Sequence, residues 1–302
     1  MAGILHQLLE ERGLLILDGA MGTELRRRGV DIGLPLWSAN ALISHPEIVS
    51  RIHLDYLEAG ADIITTNTFR TTPRSFRNAR LPDRSEALTV LAVRLAREAA
   101  AEFPDRSVLV AGSIAPLEDC YRPDLVPSVR ELMEEHREHA ARLAHEGVDF
   151  LLLETMNTVR EAVAACTAAL ETGMEVVVSF ICRPDGALYG GESLETAVSA
   201  IAPLGPSAFS LNCISPRYLG TILRHLRDLT ALPIAVYGNV GEPGKEQQEE
   251  RLVRDVDEAA YADHAASWIR TGAVIVGGCC GTTPGYIQAL RKRTPQRHRG
   301  TE

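Results

Sequence analysis

Eight short, almost continuous apolar runs alternate along the chain with longer segments whose apolar residues recur every three to four positions. The runs are 14–17 (LLIL), 62–66 (DIITT), 107–112 (SVLVAG), 149–154 (DFLLLE), 175–180 (EVVVSF), 207–213 (SAFSLNC), 233–238 (PIAVYG) and 273–278 (AVIVGG). They are too short for helices and apolar nearly throughout, the pattern of parallel strands covered on both faces. The segments 46–59, 84–101, 128–146, 158–172, 193–203, 216–229, 255–271 and 284–292 carry helical periodicity. Pro46, Pro216 and Pro284 stand near first-turn positions, Ser128 and Ser193 fit N-caps, and Gly60, Gly147, Gly173 and Gly272 follow helix ends. Three helix-to-strand joints read alike, Ala59-Gly60-Ala61-Asp62, Glu146-Gly147-Val148-Asp149 and Thr271-Gly272-Ala273-Val274, as expected of tight αβ turns.

Eight strand–helix units in 302 residues, about 38 residues each, predict an α/β fold, a single-domain (β/α)8 TIM barrel. Residues 1–13 are expected to form an N-terminal helix closing the barrel bottom, 14–292 the barrel, and 293–302 a basic flexible tail. A doubly wound open sheet is the competing architecture. Its glycine-rich phosphate turn is absent, because Asp18-Gly19-Ala20-Met21-Gly22 lacks the G-x-G-x-x-G spacing.

Composition narrows the class. With 45% apolar and 24% charged residues the chain reads as an ordinary globular protein, and its net charge of −9 gives no overall positive field to hold nucleic acid. No apolar run approaches the roughly 20 residues of a membrane span, and the N-terminus lacks the zones of a signal peptide, so no membrane partner and a cytoplasmic location are expected. Six cysteines (120, 166, 182, 213, 279, 280) are too sparse for a disulfide scaffold and in a reducing compartment read as thiols or metal ligands.

The C-terminal strand ends of such a barrel carry the chemistry. Here they bear Asp18-Gly19, Asn67-Thr68, Ser113, Glu154-Thr155, Asn212-Cys213, Tyr237-Gly238-Asn239 and Cys279-Cys280. No histidine stands there; His136 and His139 lie on an evenly charged helical segment that reads as solvated. Adjacent strand residues point to opposite faces, so Cys279 and Cys280 share a centre only if the backbone bends, which Gly277, Gly278 and Gly281 permit. With Cys213, three thiolates suit Zn²⁺ with one open position; small buried residues or a redox pair fit the spacing as well. Asp18 and Glu154 follow apolar runs, where a carboxylate is costly without a cation, and a substrate ammonium would serve. The bland alternatives are a turn-forming Asp18 and a salt-bridged Glu154. Backbone N–H groups of Ala20 to Thr23 and the hydroxyls of Thr68 and Ser113 suit the matching carboxylate.

The segments Asp18-Gly-Ala-Met-Gly-Thr-Glu-Leu25, Ala59-Gly-Ala-Asp-Ile-Ile-Thr-Thr-Asn-Thr-Phe69, Leu211-Asn-Cys213 and Val276-Gly-Gly-Cys-Cys-Gly-Thr-Thr-Pro284 resemble the homocysteine S-methyltransferase family over nearly the whole chain. The resemblance implies a cytoplasmic methyltransferase of methionine biosynthesis whose barrel binds homocysteine. By it, Cys213, Cys279 and Cys280 are the catalytic metal ligands holding Zn²⁺, and Asp18 and Glu154 take the homocysteine ammonium. Gly19, Thr68 and Ser113 line the amino-acid end, and Asn67 and Asn239 match family positions. The family commonly has proline between Tyr237 and Asn239; glycine at 238 is expected to loosen that loop.

Three thiolates on Zn²⁺ carry a net charge of −1, favouring a bound substrate thiolate over Lewis-acid hydrolysis. The thiolate attacks the electrophilic methyl of a small donor in line. Resemblance and chain length favour S-methylmethionine, with S-adenosylmethionine a weaker donor. Betaine, another onium donor or a separate corrinoid protein are alternatives, as is a zinc-thiolate homocysteine-binding protein without turnover. Oligomeric state is left open by the sequence. The charged, glycine-rich segment 241–254 reads as a solvated loop, with closure over substrate as the alternative. Cys166 reads as helix packing, and Cys120 and Cys182 carry no assignment.

Overall fold

The structure, a computed structural model, describes residues 3–242 and 253–294. Its strands are β1 (Leu15–Ile16), β2 (Ile63–Thr65), β3 (Leu109–Ile114), β4 (Phe150–Met156), β5 (Val176–Phe180), β6 (Ala208–Asn212), β7 (Ile234–Gly238), β8 (Gly241–Glu242), β9 (Val253–Arg254) and β10 (Ala273–Gly278). Eight of them form one parallel sheet in the order β1-β10-β7-β6-β5-β4-β3-β2. A parallel bridge between Leu17 and Ile63, with Asp18 N–H donating to Ile63 O at 2.9 Å, joins the two ends. The expected (β/α)8 barrel is what the chain forms. The remaining pair, β8 and β9, is an antiparallel ribbon after β7, within the segment read as a loop; residues 243–252 between them lie outside the described residues, as does the tail from 295.

The helices begin and end for local reasons visible in the sequence. Pro46, Pro216 and Pro284 open Pro46–Glu58, Pro216–Leu229 and Pro284–Arg293. Ser128 makes a reciprocal capping box with Glu131 at the head of Val129–His145, and Ser193 accepts from Thr196 N–H. Gly60, Gly147, Gly173 and Gly272 all take positive φ, the left-handed exit that glycine adopts most cheaply. Two of the matched joints share a further device: Asp62 Oδ2 accepts Ile16 N–H at 2.9 Å and Asp149 Oδ2 accepts Val110 N–H at 2.6 Å, each ordering the preceding strand.

Inward residues such as Leu15, Leu17, Phe150, Leu152 and Val177 fill the barrel together with Leu5 and Leu8 of the helix Ile4–Arg12. Asp62 ties that helix and the last one to the same end, through Arg12 at 2.8 Å and Arg291 at 2.5 Å. The opposite end, where the strands finish, is left for a site. No described helix is long and apolar enough to cross a membrane.

Several expectations are corrected. Strand β3 runs 109–114 rather than 107–112, because Ser113 and Ile114 still pair with Leu152 and Leu153 of β4. The connections after β1 and β2 carry, besides the expected helices, the unexpected short helices Met21–Arg27, Asn40–Ser44 and Pro73–Asn78. His136 and His139 are buried, not solvated. They share the inward stripe of their helix with Leu132, Ala140 and Leu143, and His136 Nε2 lies 3.2 Å from Glu161 Oε1. Burial lowers His139 to about 4, which keeps it neutral.

Candidate active site

Cys213 follows the last residue of β6 in a left-handed conformation, φ +54°, with its N–H on Tyr237 O at 3.3 Å. Cys279 and Cys280 follow β10. A Cβ on Gly277 would stand 2.6 Å from Leu17 Cβ and 2.9 Å from Leu17 O, so this glycine is needed for strand contact rather than for a bend. Past the strand, Gly281 turns at φ +81° and donates its N–H to Thr23 Oγ1 at 2.9 Å, while Thr282 Oγ1 donates to Cys279 O at 2.7 Å. This turn brings both vicinal thiols to Cys213.

The three sulfur atoms lie within 4.8 Å of one another, with Cys213 and Cys280 at 3.9 Å and the Cα atoms of Cys213 and Cys279 5.6 Å apart. A tetrahedral ion with metal–sulfur bonds of about 2.3 Å spaces its ligands about 3.8 Å apart. The reduced trio therefore fits a metal, and among the described residues it is the one group of three such ligands that does. Cys120 lines the same cleft. Cys166 and Cys182 are buried elsewhere, each pushed by burial to about 12 and so unreactive.

The cleft, about 100 Å³ and open to solvent, holds the sulfur cluster together with Asp18 and Glu154. Asp18 is buried, its Oδ2 accepting Thr65 N–H at 2.8 Å and its carboxylate also accepting Thr65 Oγ1–H. Burial raises its pKa well above the usual range despite those bonds, and the charge of Glu154 raises it further. Glu154 opens to the cleft on one side and accepts from Ser113 Oγ; burial on its other sides lifts it to about 7. Neither has a cationic partner within salt-bridge distance among the described residues. A buried and a half-buried carboxylate facing one space without a cation call for one from solution.

This has a consequence for stability. The native state holds the Glu154 proton up to about 7, whereas the unfolded chain releases it near 4.5. The contribution of this group is therefore fully present below the unfolded pKa and lost as pH rises through about 7. Without substrate, Glu154→Gln is expected to melt at a higher temperature than the parent protein at pH 8 and at the same temperature near pH 4.5. Thermal melts across that range check it, and equal melting temperatures at pH 8 refute it.

Gly19, Asn67 and Ser113 line the cleft with the carboxylates. A Cβ on Gly19 would come within 2.8 Å of the Tyr56 ring and Thr282 Oγ1, so glycine there serves close packing. Asn67 donates to Ser38 O at 3.0 Å and leaves its Oδ1 without a partner. Thr68 stands behind the wall, its hydroxyl bonded to Ser113 O at 2.7 Å and Thr66 Oγ1 at 2.7 Å. Asn239 is fully buried outside the lining, with neither side-chain polar atom bonded. Ala20 N–H is taken by Thr282 Oγ1, while the first turn of Met21–Arg27 borders the cleft.

Gly238 does not loosen its loop. Its N–H donates to Tyr261 Oη at 3.1 Å, its carbonyl accepts Cys279 N–H at 2.8 Å, and a Cβ would sit 3.0 Å from Ile214 O. Trp37, Phe69, Tyr121 and Tyr237 also line the cleft, and of these sequence reading had placed only Tyr237 among the strand-end residues. The first three come from connections rather than strand ends, so the rim rule does not find them. Of the four non-glycine residues with left-handed φ among the described residues, Trp37, Thr155 and Cys213 border this cleft, concentrating backbone strain where function usually uses it.

A family model described as homocysteine S-methyltransferase matches residues 15–294. A homocysteine S-methyltransferase of Escherichia coli is 36% identical over 96% of this chain and 98% of its own length. A selenocysteine Se-methyltransferase of Brassica oleracea is 31% identical over 97% of this chain and 92% of its own. The crystal structure of the metallated homocysteine methyltransferase of Escherichia coli superimposes with a TM-score of 0.84 at 34% identity, covering 96% of this chain and 99% of that one.

Proposed function

The chain belongs to the homocysteine S-methyltransferase family, and from that premise we propose that it transfers a methyl group from a small sulfonium donor to homocysteine, giving methionine. One observation carries the reading: three cysteine sulfurs within 4.8 Å of one another share a cleft with two carboxylates that lack a cation. A thiol, an ammonium and a carboxylate on one small molecule are the groups this cleft can answer.

Cys213, Cys279 and Cys280 are the residues that would hold the metal, read as Zn²⁺ because a soft three-sulfur set suits it. When bound, Zn²⁺ lowers the pKa of the substrate thiol and keeps it a nucleophilic thiolate near pH 7. Asp18 and Glu154 take the ammonium, Ser113 orienting Glu154 through its hydroxyl and Thr68 fixing Ser113 through its carbonyl. Gly19, Asn67 and the backbone of Met21 to Thr23 border the carboxylate end. Asn239 acts from behind, beside Val240, whose N–H donates to Cys280 O at 3.1 Å. The barrel residues 14–292 thus carry the whole amino-acid site, with the N-terminal helix closing the opposite end of the barrel.

The donor is read as S-methylmethionine, with S-adenosylmethionine a weaker alternative. Half-buried Trp37, Phe69 and Tyr121 give the cleft aromatic faces that attract an onium cation. In the transfer a sulfur–carbon bond forms to the homocysteine thiolate as the donor's sulfonium–carbon bond breaks, and a neutral sulfide leaves, so no general acid is required.

The test is one preparation, purified under reducing conditions and analysed for metal. It is then given homocysteine with S-methylmethionine, S-adenosylmethionine, betaine or methylcobalamin, and methionine is followed by mass spectrometry. Zinc at one per chain and fastest product with S-methylmethionine are expected. A clear preference for betaine or methylcobalamin overturns the donor assignment, and metal-loaded protein inert with all four overturns turnover itself.

A further inference from the structure

We infer that Asn212 is the positioning residue that sets the ammonium-binding carboxylate of Glu154 against the thiolate centre, a role that rests on the reaction proposed above. Strand β4 leaves its register with β5 between Leu153 and Met156. Within that irregularity Glu154 meets the cleft and Thr155 adopts φ +55°, a conformation a β-branched residue holds only when its surroundings impose it. Thr155 N–H is the bond that the ladder would otherwise use. It donates at 3.0 Å to Asn212 Oδ1, at the end of β6, two strands away.

The same oxygen accepts Ser179 Oγ–H from β5 at 2.7 Å, so one fully buried side chain ties the tops of β4, β5 and β6 together. An amide N–H can only donate, which fixes the oxygen of Asn212, not its nitrogen, as the atom facing Thr155. Asn212 Nδ2 makes no hydrogen bond, so the side chain is engaged through its oxygen alone. Cys213 follows directly, itself left-handed at φ +54°. The two strained exits, one presenting the carboxylate and the other a metal ligand, are thereby joined through a single residue.

Without this acceptor the Thr155 N–H would be buried and unpaired, and the segment would regain bonding by relaxing toward β5. That relaxation re-aims Glu154 while leaving the three cysteines on their own turns. The effect falls on homocysteine recognition and not on the metal or the donor. Ser113, approaching Glu154 from β3, holds the other side of the carboxylate and cannot replace a constraint on its backbone.

The experiment compares the parent protein with Asn212→Ala, both metal-loaded, by calorimetric titration with homocysteine and by steady-state kinetics. Asn212→Ala is expected to raise the homocysteine Kd and KM at least about tenfold, with metal stoichiometry and donor KM unchanged. Introducing Thr155→Gly alongside it should recover much of the loss, because glycine takes a positive φ without help. Ser179→Ala keeps the Thr155 bond and should change the homocysteine Kd less than twofold. If the alanine variant does not fold, Asn212→Ser, whose hydroxyl is too short to reach Thr155, is expected to show the same loss. Homocysteine affinity within twofold of the parent in the Asn212 variant overturns the inference, as does loss of metal, or a lowered melting temperature with no change in Kd. A parent protein that binds no homocysteine refutes the proposed function instead.

Discussion

Cys213→Ala loses bound metal and methyl transfer together, with activity down at least about a hundredfold. Altering groups that merely support a metal ligand commonly costs ten- to a hundredfold in affinity or activity, and Cys213 is proposed as a ligand itself. The sulfur cannot be replaced from nearby: Cys120 lines the cleft but is not in the cluster, and Cys166 and Cys182 are buried elsewhere. Metal analysis and methionine formation on the same sample check the prediction. A variant that keeps one metal per chain and normal turnover would remove Cys213 from the mechanism.

Neutralising the carboxylates produces the second large effect, on homocysteine alone. Asp18→Asn or Glu154→Gln each removes one of the two proposed anionic partners of the homocysteine ammonium, a change that typically costs about 2 to 5 kcal/mol, or roughly thirtyfold and upward in affinity. Metal content stays at the parent level, because neither carboxylate belongs to the sulfur cluster. The pH dependence follows from Glu154, lifted by burial to about 7. Below that value the carboxyl holds its proton and offers no charge, so homocysteine affinity in the parent protein rises from pH 6 to pH 8. In Glu154→Gln this part of the rise disappears. Homocysteine titrations at both pH values decide the matter, and an unchanged slope in the variant refutes the assignment. The stabilisation expected for substrate-free Glu154→Gln at pH 8 has the same cause, a charge held ready for a cation at some cost to the fold.

The eight-unit barrel was legible because each of its signals is local. Apolar runs mark strands buried on both faces, Pro46, Pro216 and Pro284 open helices, and Gly60, Gly147 and Gly272 close them with a conformation other residues resist. The chemical inventory of the rim was legible for a similar reason: once the strands are known, the residues that follow them are known. The His136 and His139 reading failed although the pattern was present, since Leu132, His136, His139, Ala140 and Leu143 keep helical spacing and two polar names concealed an inward stripe.

The sequence by itself determined the eight strand–helix units, their order and which reactive residues stand at strand ends, since these depend on neighbours a few positions away. Tertiary structure alone decided what those residues do to one another. Cys213 meets Cys280 across 67 residues, Asp18 and Glu154 feel each other across the barrel mouth, and Asn212 reaches Thr155 past an intervening strand. Connections contribute as well: Trp37, Phe69 and Tyr121 reach the cleft from segments whose paths no periodicity records. Desolvation, which lifts Glu154 to about 7, is a property of everything packed around a carboxyl, and comes into being only when the barrel closes.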